Sequence, residues 1–312
     1  FMMGSPENEE GRERDHQDRD ETQHQVTLTK AFHLGKYEVT QAQWAKVMGN
    51  NPSKNQGDDL PVEMITWNEI MEFCKQLTWM EQSAGRLPEG YVYTLPTEAQ
   101  WEYACRAGTT SPYSFGTRLT KEHANIDKSV GKTVNVGKYP PNAWGFHDMH
   151  GNVSERVLDW FGDYPKGAVV DPTGPRFGSK RPIRGGCFIW NVNLRSAYRR
   201  GCDEDLLREY LGFRLCLKKT QAPKADEQPT PGKPWTVPTV DLEMLWCKPG
   251  TFMMGSPEDE YGRNLDFIGN ERTGGDYDET LHQVTLTKGF YLGKYEVTQA
   301  QWTKVMGENP SE

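Results

Sequence analysis

The largest group of side chains able to bind a ligand lies within the run from Arg181 to Leu217, between a double-glycine bend and a closing strand. The candidate binding residues are Trp190, Asn191, Asn193, Arg195, Tyr198 and Arg200. Rings, amides and guanidinium groups can stack on a ligand and hydrogen-bond to it. Because binding residues often lie on polar loops held by rigid elements, this run predicts a recognition surface. A structural interpretation stays open for Arg195 and Arg214, since arginines near glycine bends often hold loop carbonyls.

A second candidate site is the segment from Asp148 to Glu155, which reads DMHGNVSE. Two carboxylates flank a glycine turn with free carbonyls between them, and oxygen atoms are the ligands that calcium takes. The alternative is a polar turn in which Glu155 forms a salt bridge. His147 and His150 lie beside this turn, but they have no cysteine or third histidine nearby. We therefore interpret both histidines as structural, because catalytic zinc usually has three protein ligands.

Composition excludes several function classes. The 312 residues carry 36 basic and 44 acidic side chains, a net charge of −8, and no basic block. Nucleic acid and anionic membranes are therefore poor partners. No apolar run approaches the ~20 residues needed to span a bilayer, so no membrane insertion is expected. The sequence also contains no phosphate-binding glycine loop and no Ser-His-Asp order. Nothing in it indicates a cellular compartment.

An internal repeat organises the chain. Residues 1–7 return at 252–258, and residues 25–52 return at 283–310 with few changes. Residues 220–239 are rich in proline and polar residues, which predicts a linker. We therefore expect a domain at 1–219 that lacks its first strand, a linker at 220–239, and the N-terminal part of a second copy at 240–312. The strand Leu242–Cys247 precedes the second copy, and it either stays with that copy or folds back into the first.

Local signals predict the elements that position these residues. Thr40 with Gln43, and Thr66 with Glu69, form capping boxes that begin helices. Thr97 with Gln100 begins a third helix. Residues 25–28 and 32–34 resemble a short hairpin. Few helices among many short strands and turns predict an irregular α+β domain.

The runs RGG, LRSAYR and LGFR, with LPTEAQWEYACRAGT at Leu95–Thr109, resemble the formylglycine-generating enzyme family, the sulfatase-modifying-factor domain. The resemblance covers residues 1–219 and begins again near residue 241. It implies a modified C-type-lectin-like fold. In the catalytic members, two cysteines after the RGG bend bind copper(I), and those positions are Trp190 and Arg195 here. Since copper(I) takes soft thiolate ligands, copper is not expected.

The resemblance also implies a calcium site, with side chains of Asp148 and Glu155 and carbonyls of Gly151 and Val153 as ligands. A second family calcium site would use Asn125, Ile126 and residues 137–139. Its carboxylate position is Gly137, so we expect that site to be lost. Two family disulfides would fall near Cys105 with Cys202 and near Cys74 with Cys216. Buried free thiols are the preferred alternative.

Three functions remain open. The first is a non-catalytic module that binds a protein segment or a small ligand at the loop after the RGG bend, as variable proteins of this family do. The second is an oxidoreductase of the formylglycine-generating type with a different site. The third is a structural domain of a larger surface protein, in contact with other domains of the same parent chain.

Overall fold

A computed structural model describes residues 1–12, 20–220, 229–237, 241–254 and 280–306. The chain forms two compact units, Phe1–Gln221 and Ala222–Glu312. The part of the second copy at residues 255–279, and half of the predicted linker (residues 221–228 and 238–239), lie outside the described residues. No helix among the described residues is both long enough and apolar enough to cross a bilayer.

The described part of the first unit contains short strands and three helices. Its strands are β1 (Met2–Met3), β2 (His24–Thr27), β3 (Phe32–Leu34), β4 (Tyr91–Thr94), β5 (Ser154–Arg156), β6 (Val169–Val170), β7 (Arg181–Arg184), β8 (Arg199–Cys202), β9 (Leu211–Gly212) and β10 (Cys216–Lys219). Its helices are α1 (Gln41–Met48), α2 (Trp67–Ser83) and α3 (Glu98–Arg106). This mixture confirms the predicted α+β class.

The three capping boxes form as predicted. The hydroxyls of Thr40, Thr66 and Thr97 accept hydrogen bonds from the main chain three residues on. Each glutamine or glutamate at that position also accepts from the main-chain N–H of the capping residue. Helix α1 ends at Gly49, which has a positive φ of 78°.

The sheets bring distant segments together. One sheet has the order β1-β2-β6, a second β3-β10-β4, and a third β8-β7-β5-β9. The predicted hairpin of residues 25–28 and 32–34 is wrong, because β2 pairs with β1 and β6 while β3 pairs with β10. Adjacent strands therefore diverge into different sheets, which no local sequence signal indicated.

The main hydrophobic core lies between α1, α2 and the segment that follows β9. The rings of Trp44 and Phe73 stack at a centroid distance of 5.2 Å, and Phe213 meets both edge-on. Ile70 and Cys74 complete the buried face of α2. A second cluster, which contains Trp101 and Met149, places α3 beside the double-glycine bend.

The second unit contains β11 (Trp235–Val237), β12 (Leu242–Cys247), β13 (Gly250–Met254), β14 (His282–Leu286), β15 (Phe290–Gly293) and α4 (Gln299–Met306). Strand β12 pairs with β11 and β15, so the lead-in strand stays with the second copy. Residues 235–237, which the composition placed in a linker, form one strand of that sheet.

Candidate functional site

The double-glycine bend fixes the direction of the candidate binding loop. Gly185 and Gly186 have φ values of 84° and 69°, a region that side chains rarely adopt. A Cβ at Gly186 would lie 2.4 Å from the side chain of Leu194, and one at Gly185 would lie 3.1 Å from the Trp101 ring. The bend therefore needs glycine at both positions, and it packs the following loop against α3.

Arg195 lies inside the molecule, where its side chain is 2% exposed. It donates to both carboxylate oxygens of Glu21, at 2.8 Å each, and to Glu9 at 2.5 Å. These acids ensure that the pKa of Arg195 is raised, although burial alone would lower it. Arg195 therefore joins the loop to the segment that carries Glu9 and Glu21, and it is buried where the sequence predicted a binding residue.

The aromatic members of the candidate set also support the loop from inside. Trp190 is half-buried in a cluster with Ile183, Cys202 and Leu211. Tyr198 is buried, and its ring meets the Trp190 ring edge-on at 6.0 Å. The indole therefore reaches the surface with only part of its ring.

The exposed part of the candidate surface is the loop tip. Asn191 and Arg200 are exposed, and Asn193 is half-buried with a positive φ of 65°. Val192, which the sequence analysis did not single out, is 58% exposed. The tip thus presents two amides and an apolar side chain, and the exposed residue Arg200 follows in β8.

Buried acids on α3 form a support that sequence reasoning missed. Glu98 accepts two hydrogen bonds from Arg199, at 2.8 and 2.7 Å. Glu102 forms buried ion pairs with Arg184 and Arg106. Arg184 also donates to the carbonyls of residues 196 and 197, which fixes the loop's return. Glu98 and Glu102 are four residues apart, so they lie on one face of α3, which also carries aromatic and small side chains. That spacing is the signal in the sequence that could have indicated a buried acidic pair.

Asp148, the first proposed calcium ligand, has one engaged oxygen. Its Oδ2 accepts a hydrogen bond from the main-chain N–H of Gly137 at 2.7 Å. Its Oδ1 is buried and has no hydrogen-bond partner among the described residues. Burial raises the pKa of Asp148. An unpartnered buried carboxylate oxygen suits a cation ligand, so this residue fits the predicted site.

Glu155, the second proposed ligand, is fully buried and already bound by other side chains. Arg214 donates to both of its oxygens at 2.6 Å, and the Trp101 indole donates to Oε2 at 2.8 Å. A carboxylate has about four acceptor positions, so roughly one remains on Oε1. Glu155 therefore fits calcium less well than Asp148. This geometry matches the alternative interpretation of the sequence, in which the segment is a polar turn and Glu155 forms a salt bridge.

Glu38, which was not among the predicted site residues, binds the main chain and a side chain of the turn between Asp148 and Glu155. Glu38 accepts from the main-chain N–H of Val153 at 3.2 Å and from the Asn152 amide at 2.7 Å. Burial raises the pKa of Glu38, and the nearby charges of Asp148 and Glu155 raise it further. Gly151 has a φ of 89°, and its N–H donates to the carbonyl of residue 185, which links this loop to the glycine bend.

The second family calcium segment has no room for the missing carboxylate. A Cβ at Gly137 would lie 2.5 Å from the Tyr37 ring, and the φ of Gly137 is 75°. Asn125, another residue of that segment, donates to the carbonyl of residue 132 and to the Asn152 side chain. An acidic side chain at position 137 would therefore displace Tyr37.

The histidines make structural contacts. His150 is buried, donates to the carbonyl of residue 194 at 2.8 Å and contacts Ser114. Burial lowers the pKa of His150 to about 4, so its ring is neutral at pH 7. His147 donates to the carbonyl of residue 139 and packs on the Tyr37 ring.

All six cysteines carry free thiols. Burial raises the pKa values of Cys74, Cys105, Cys187 and Cys216 to about 12 each. At neutral pH these thiols are protonated, and a protonated thiol is a poor metal ligand and a poor nucleophile. Cysteine chemistry is therefore suppressed around the glycine bend. Among the described residues, no group of three or more His, Cys, Asp or Glu side chains is placed to hold a metal ion.

Comparison with known proteins adds an independent finding. The profile of the sulfatase-modifying factor enzyme 1-like domain matches residues 1–219 and 233–312. The chaperone protein LppX of Paenibacillus barcinonensis is 33% identical over 241 residues, 62% of this chain and 82% of LppX. The formylglycine-generating enzyme of Bos taurus is 28% identical over 214 residues, 62% of this chain but only about half (51%) of the enzyme. The solved structure of Treponema denticola variable protein 1 has a TM-score of 0.58 at 29% identity, over 70% of this chain and 94% of that protein.

Proposed function

Because the chain belongs to the sulfatase-modifying factor enzyme 1-like family, we propose that its first unit is a non-catalytic member of that family that binds a protein segment or a small ligand. The recognition surface is the loop tip formed by residues 191–193 together with Arg200. The partly exposed edge of Trp190 adjoins it.

The observation that carries this proposal is the burial of Arg195 against Glu9 and Glu21. The resemblance places one copper cysteine at this position. Here the guanidinium forms ion pairs with two buried carboxylates, so the position serves the fold. Trp190, at the other copper position, fills an apolar cluster. The neighbouring thiol of Cys187 is buried with its pKa raised to about 12, which argues against a thiolate ligand at neutral pH.

The chemistry of the tip favours a peptide-like partner. Amide side chains can pair with main-chain groups, the exposed Val192 offers apolar contact, and Arg200 can bind a carboxylate. These groups project from a loop whose inner side is fixed by buried ion pairs. A preorganised tip loses less entropy on binding, which supports a recognition role.

We also propose a weak calcium site at the adjacent turn, with Asp148 as its main ligand. The buried, unpartnered Oδ1 of Asp148 supports this assignment. Glu155 would offer at most one oxygen, because Arg214 holds both of its oxygens. Bound calcium would neutralise the acidic turn and stabilise the fold; no catalytic role is assigned to it.

Two experiments test the binding proposal against the oxidoreductase alternative. The first titrates the full chain with copper(I) and measures oxygen consumption in the presence of a cysteine peptide. We expect no oxygen consumption and no copper(I) binding tighter than about 1 μM. Oxygen-dependent loss of the peptide thiol would contradict the proposal and favour an enzyme.

The second experiment selects peptides from a random displayed library on the immobilised full chain. Selected peptides should lose binding to the Val192→Asp and Arg200→Glu variants. They should keep binding to Val130→Asp, a matched control whose valine is 42% exposed elsewhere on the unit. Selected peptides that bind all three variants equally would place recognition on another surface.

A further inference from the structure

A pocket of about 450 Å³ lies between α3, β2 and the segment of residues 159–175. Apolar side chains form much of its wall, among them Met3, Ala99, Val169 and Pro172. In the second copy, the lead-in strand β12 pairs with β15, the counterpart of β3 in the repeat, and no residue of β3 lines this pocket. The volume falls within the range of about 300–1,000 Å³ that is typical of small-molecule sites.

The carboxyl of Asp159 faces this pocket, although the residue is only 4% exposed. Its Oδ2 accepts a hydrogen bond from the main-chain N–H of Glu98, the first residue of α3, at 2.8 Å. Its Oδ1 accepts no hydrogen bond from another described residue. A Cβ at Gly174, which also lines the pocket, would lie 3.3 Å from that Oδ1. The glycine therefore leaves the space beside this oxygen open to a ligand.

Asp159 forms no ion pair with a described cation. Arg199 also lines the pocket, but its donors bind Glu98 at 2.8 and 2.7 Å and the carbonyls of residues 20 and 162. Arg181 donates to Glu204 at 2.7 Å and to the carbonyl of residue 158. Burial, and then the charge of Glu98, raises the pKa of Asp159 to about 7. The pocket therefore contains a buried acid whose ionised form has no hydrogen-bonded cation to compensate it.

The other polar side chains of the pocket are suited to a cation as well. The Nδ1 of His24 lies 2.9 Å from the carbonyl of residue 22, so a neutral ring that donates there keeps Nε2 as an acceptor. Asp163 is exposed and adds a second carboxylate to the lining. The Tyr164 ring packs against the Arg199 guanidinium at 3.9 Å and against the His24 ring at 4.8 Å. Acceptors and negative charge therefore outnumber the donors that a ligand could use here.

We propose that this pocket binds an organic ammonium ion with an apolar body, and that Asp159 is the partner of the ammonium group. The ammonium supplies the positive charge that the buried carboxyl lacks, and its N–H groups donate to Oδ1. The apolar body packs against Met3, Val169 and Pro172. The pocket differs from the loop tip in both position and ligand, so this proposal does not depend on the function proposed for the tip.

The test uses the full chain and two fluorinated probes of equal size, followed by fluorine NMR at about pH 7.5. The first probe, para-fluorobenzylamine, is a cation at this pH and should bind saturably with a Kd below about 5 mM. The second, para-fluorobenzyl alcohol, has the same ring without the charge and should bind at least about tenfold more weakly. Absence of saturation with the amine up to about 20 mM, or equal affinity for the two probes, would overturn the proposal.

Variants of the chain then locate the site. Asp159→Asn should weaken binding of the amine about tenfold or more and change binding of the alcohol less than about twofold, which also shows that the pocket is intact. Asp163→Asn is the matched control, because it removes an exposed carboxylate from the same lining, and it should weaken the amine less than about threefold. Equal binding of the amine by folded Asp159→Asn and by the unchanged chain would overturn the proposal.

The pH dependence of the unchanged chain gives a readout that needs no variant. Below about pH 7, the carboxyl of Asp159 has to release its proton before it pairs with the ammonium, so the Kd of the amine should rise about tenfold per pH unit. The Kd of the alcohol should not follow this trend. Of the neighbouring titratable groups, Glu98 stays paired with Arg199, and His24→Gln should leave the trend in place. An amine affinity that is constant between about pH 7.5 and pH 5 would overturn the proposal.

Discussion

Replacing Arg195 by methionine should destabilise the first unit strongly. The guanidinium is the charge partner of Glu21 and Glu9, whose side chains are 1% and 4% exposed. Removing one member of a buried ion pair costs about 3–5 kcal/mol, because the remaining charge stays buried without compensation. For a unit of this size each kcal/mol lowers the melting temperature by about 2–4 °C, so a fall of roughly 6–20 °C is expected.

The two units need separate readouts, and the cysteines provide them. Five buried thiols belong to the first unit, whereas the half-exposed Cys247 belongs to the second. Thiol labelling during heating or urea denaturation, followed by peptide mass spectrometry, therefore reports the unfolding of the first unit alone. The measurement is the midpoint at which Cys105 and Cys187 become labelled.

Two controls make the experiment decisive. Arg200→Met changes an exposed arginine of the neighbouring strand and should shift stability by less than about 0.5 kcal/mol. Combining Arg195→Met with Glu9→Gln and Glu21→Gln should recover most of the loss, since the buried charges disappear together. A loss below about 1 kcal/mol for Arg195→Met alone would refute the structural role and reopen this position for ligand binding.

Three further predictions concern pH, calcium and thiols. Burial, and then the charge of Glu98, raises the pKa of Asp159 to about 7, so the folded unit holds a proton that the unfolded chain releases near pH 4. The stability of the first unit should therefore fall as the pH rises from 4 to 7, and Asp159→Asn should remove up to about 4 kcal/mol of that fall. The exposed control Asp163→Asn should leave the fall unchanged. If the stability of Asp159→Asn depends on pH in the same way as that of the unchanged chain, the prediction is contradicted. Calcium at 100 times its dissociation constant should add about 2.7 kcal/mol of stability, and Asp148→Asn should remove that gain; an unchanged gain would contradict the ligand assignment. At pH 8, Cys247 should react with a thiol reagent within minutes and Cys187 should not, since burial raises the pKa of Cys187 to about 12. Fewer than six reactive thiols after denaturation without reductant would indicate a disulfide instead.

The helices could be predicted because their signals are local. Thr40, Thr66 and Thr97 each lie three residues before the side chain that completes the capping box, and all three boxes form. Such signals depend on a single turn of chain, and no distant contact competes with them.

Strand partners and the interior of the candidate site could not be predicted, because they depend on distant contacts. Strands β2 and β3, which the sequence predicted to form a hairpin, do not pair with each other. Instead, β2 pairs with β1 near the start of the chain, and β3 pairs with β10 near residue 217. Arg195 was placed in the binding set by its residue type, but its partners Glu9 and Glu21 lie 186 and 174 residues away. The sequence contains 44 acidic residues, and no local pattern identifies which of them will pair with a given arginine.

Buried arginines join the short strands of the first unit to segments that are distant in sequence. Two- to four-residue strands form few ladder hydrogen bonds. Arg199 joins β8 to α3 across 101 residues, and Arg214, which lies between β9 and β10, pairs with Glu155 of β5 across 59. A buried pair is not in itself a large stabilising contribution, but losing one partner is costly. Single changes at these positions should therefore destabilise the unit strongly, whereas the tip at residues 191–193 lies outside these pairs. The tip is thus the part of the loop where side chains can be exchanged at little cost to the fold.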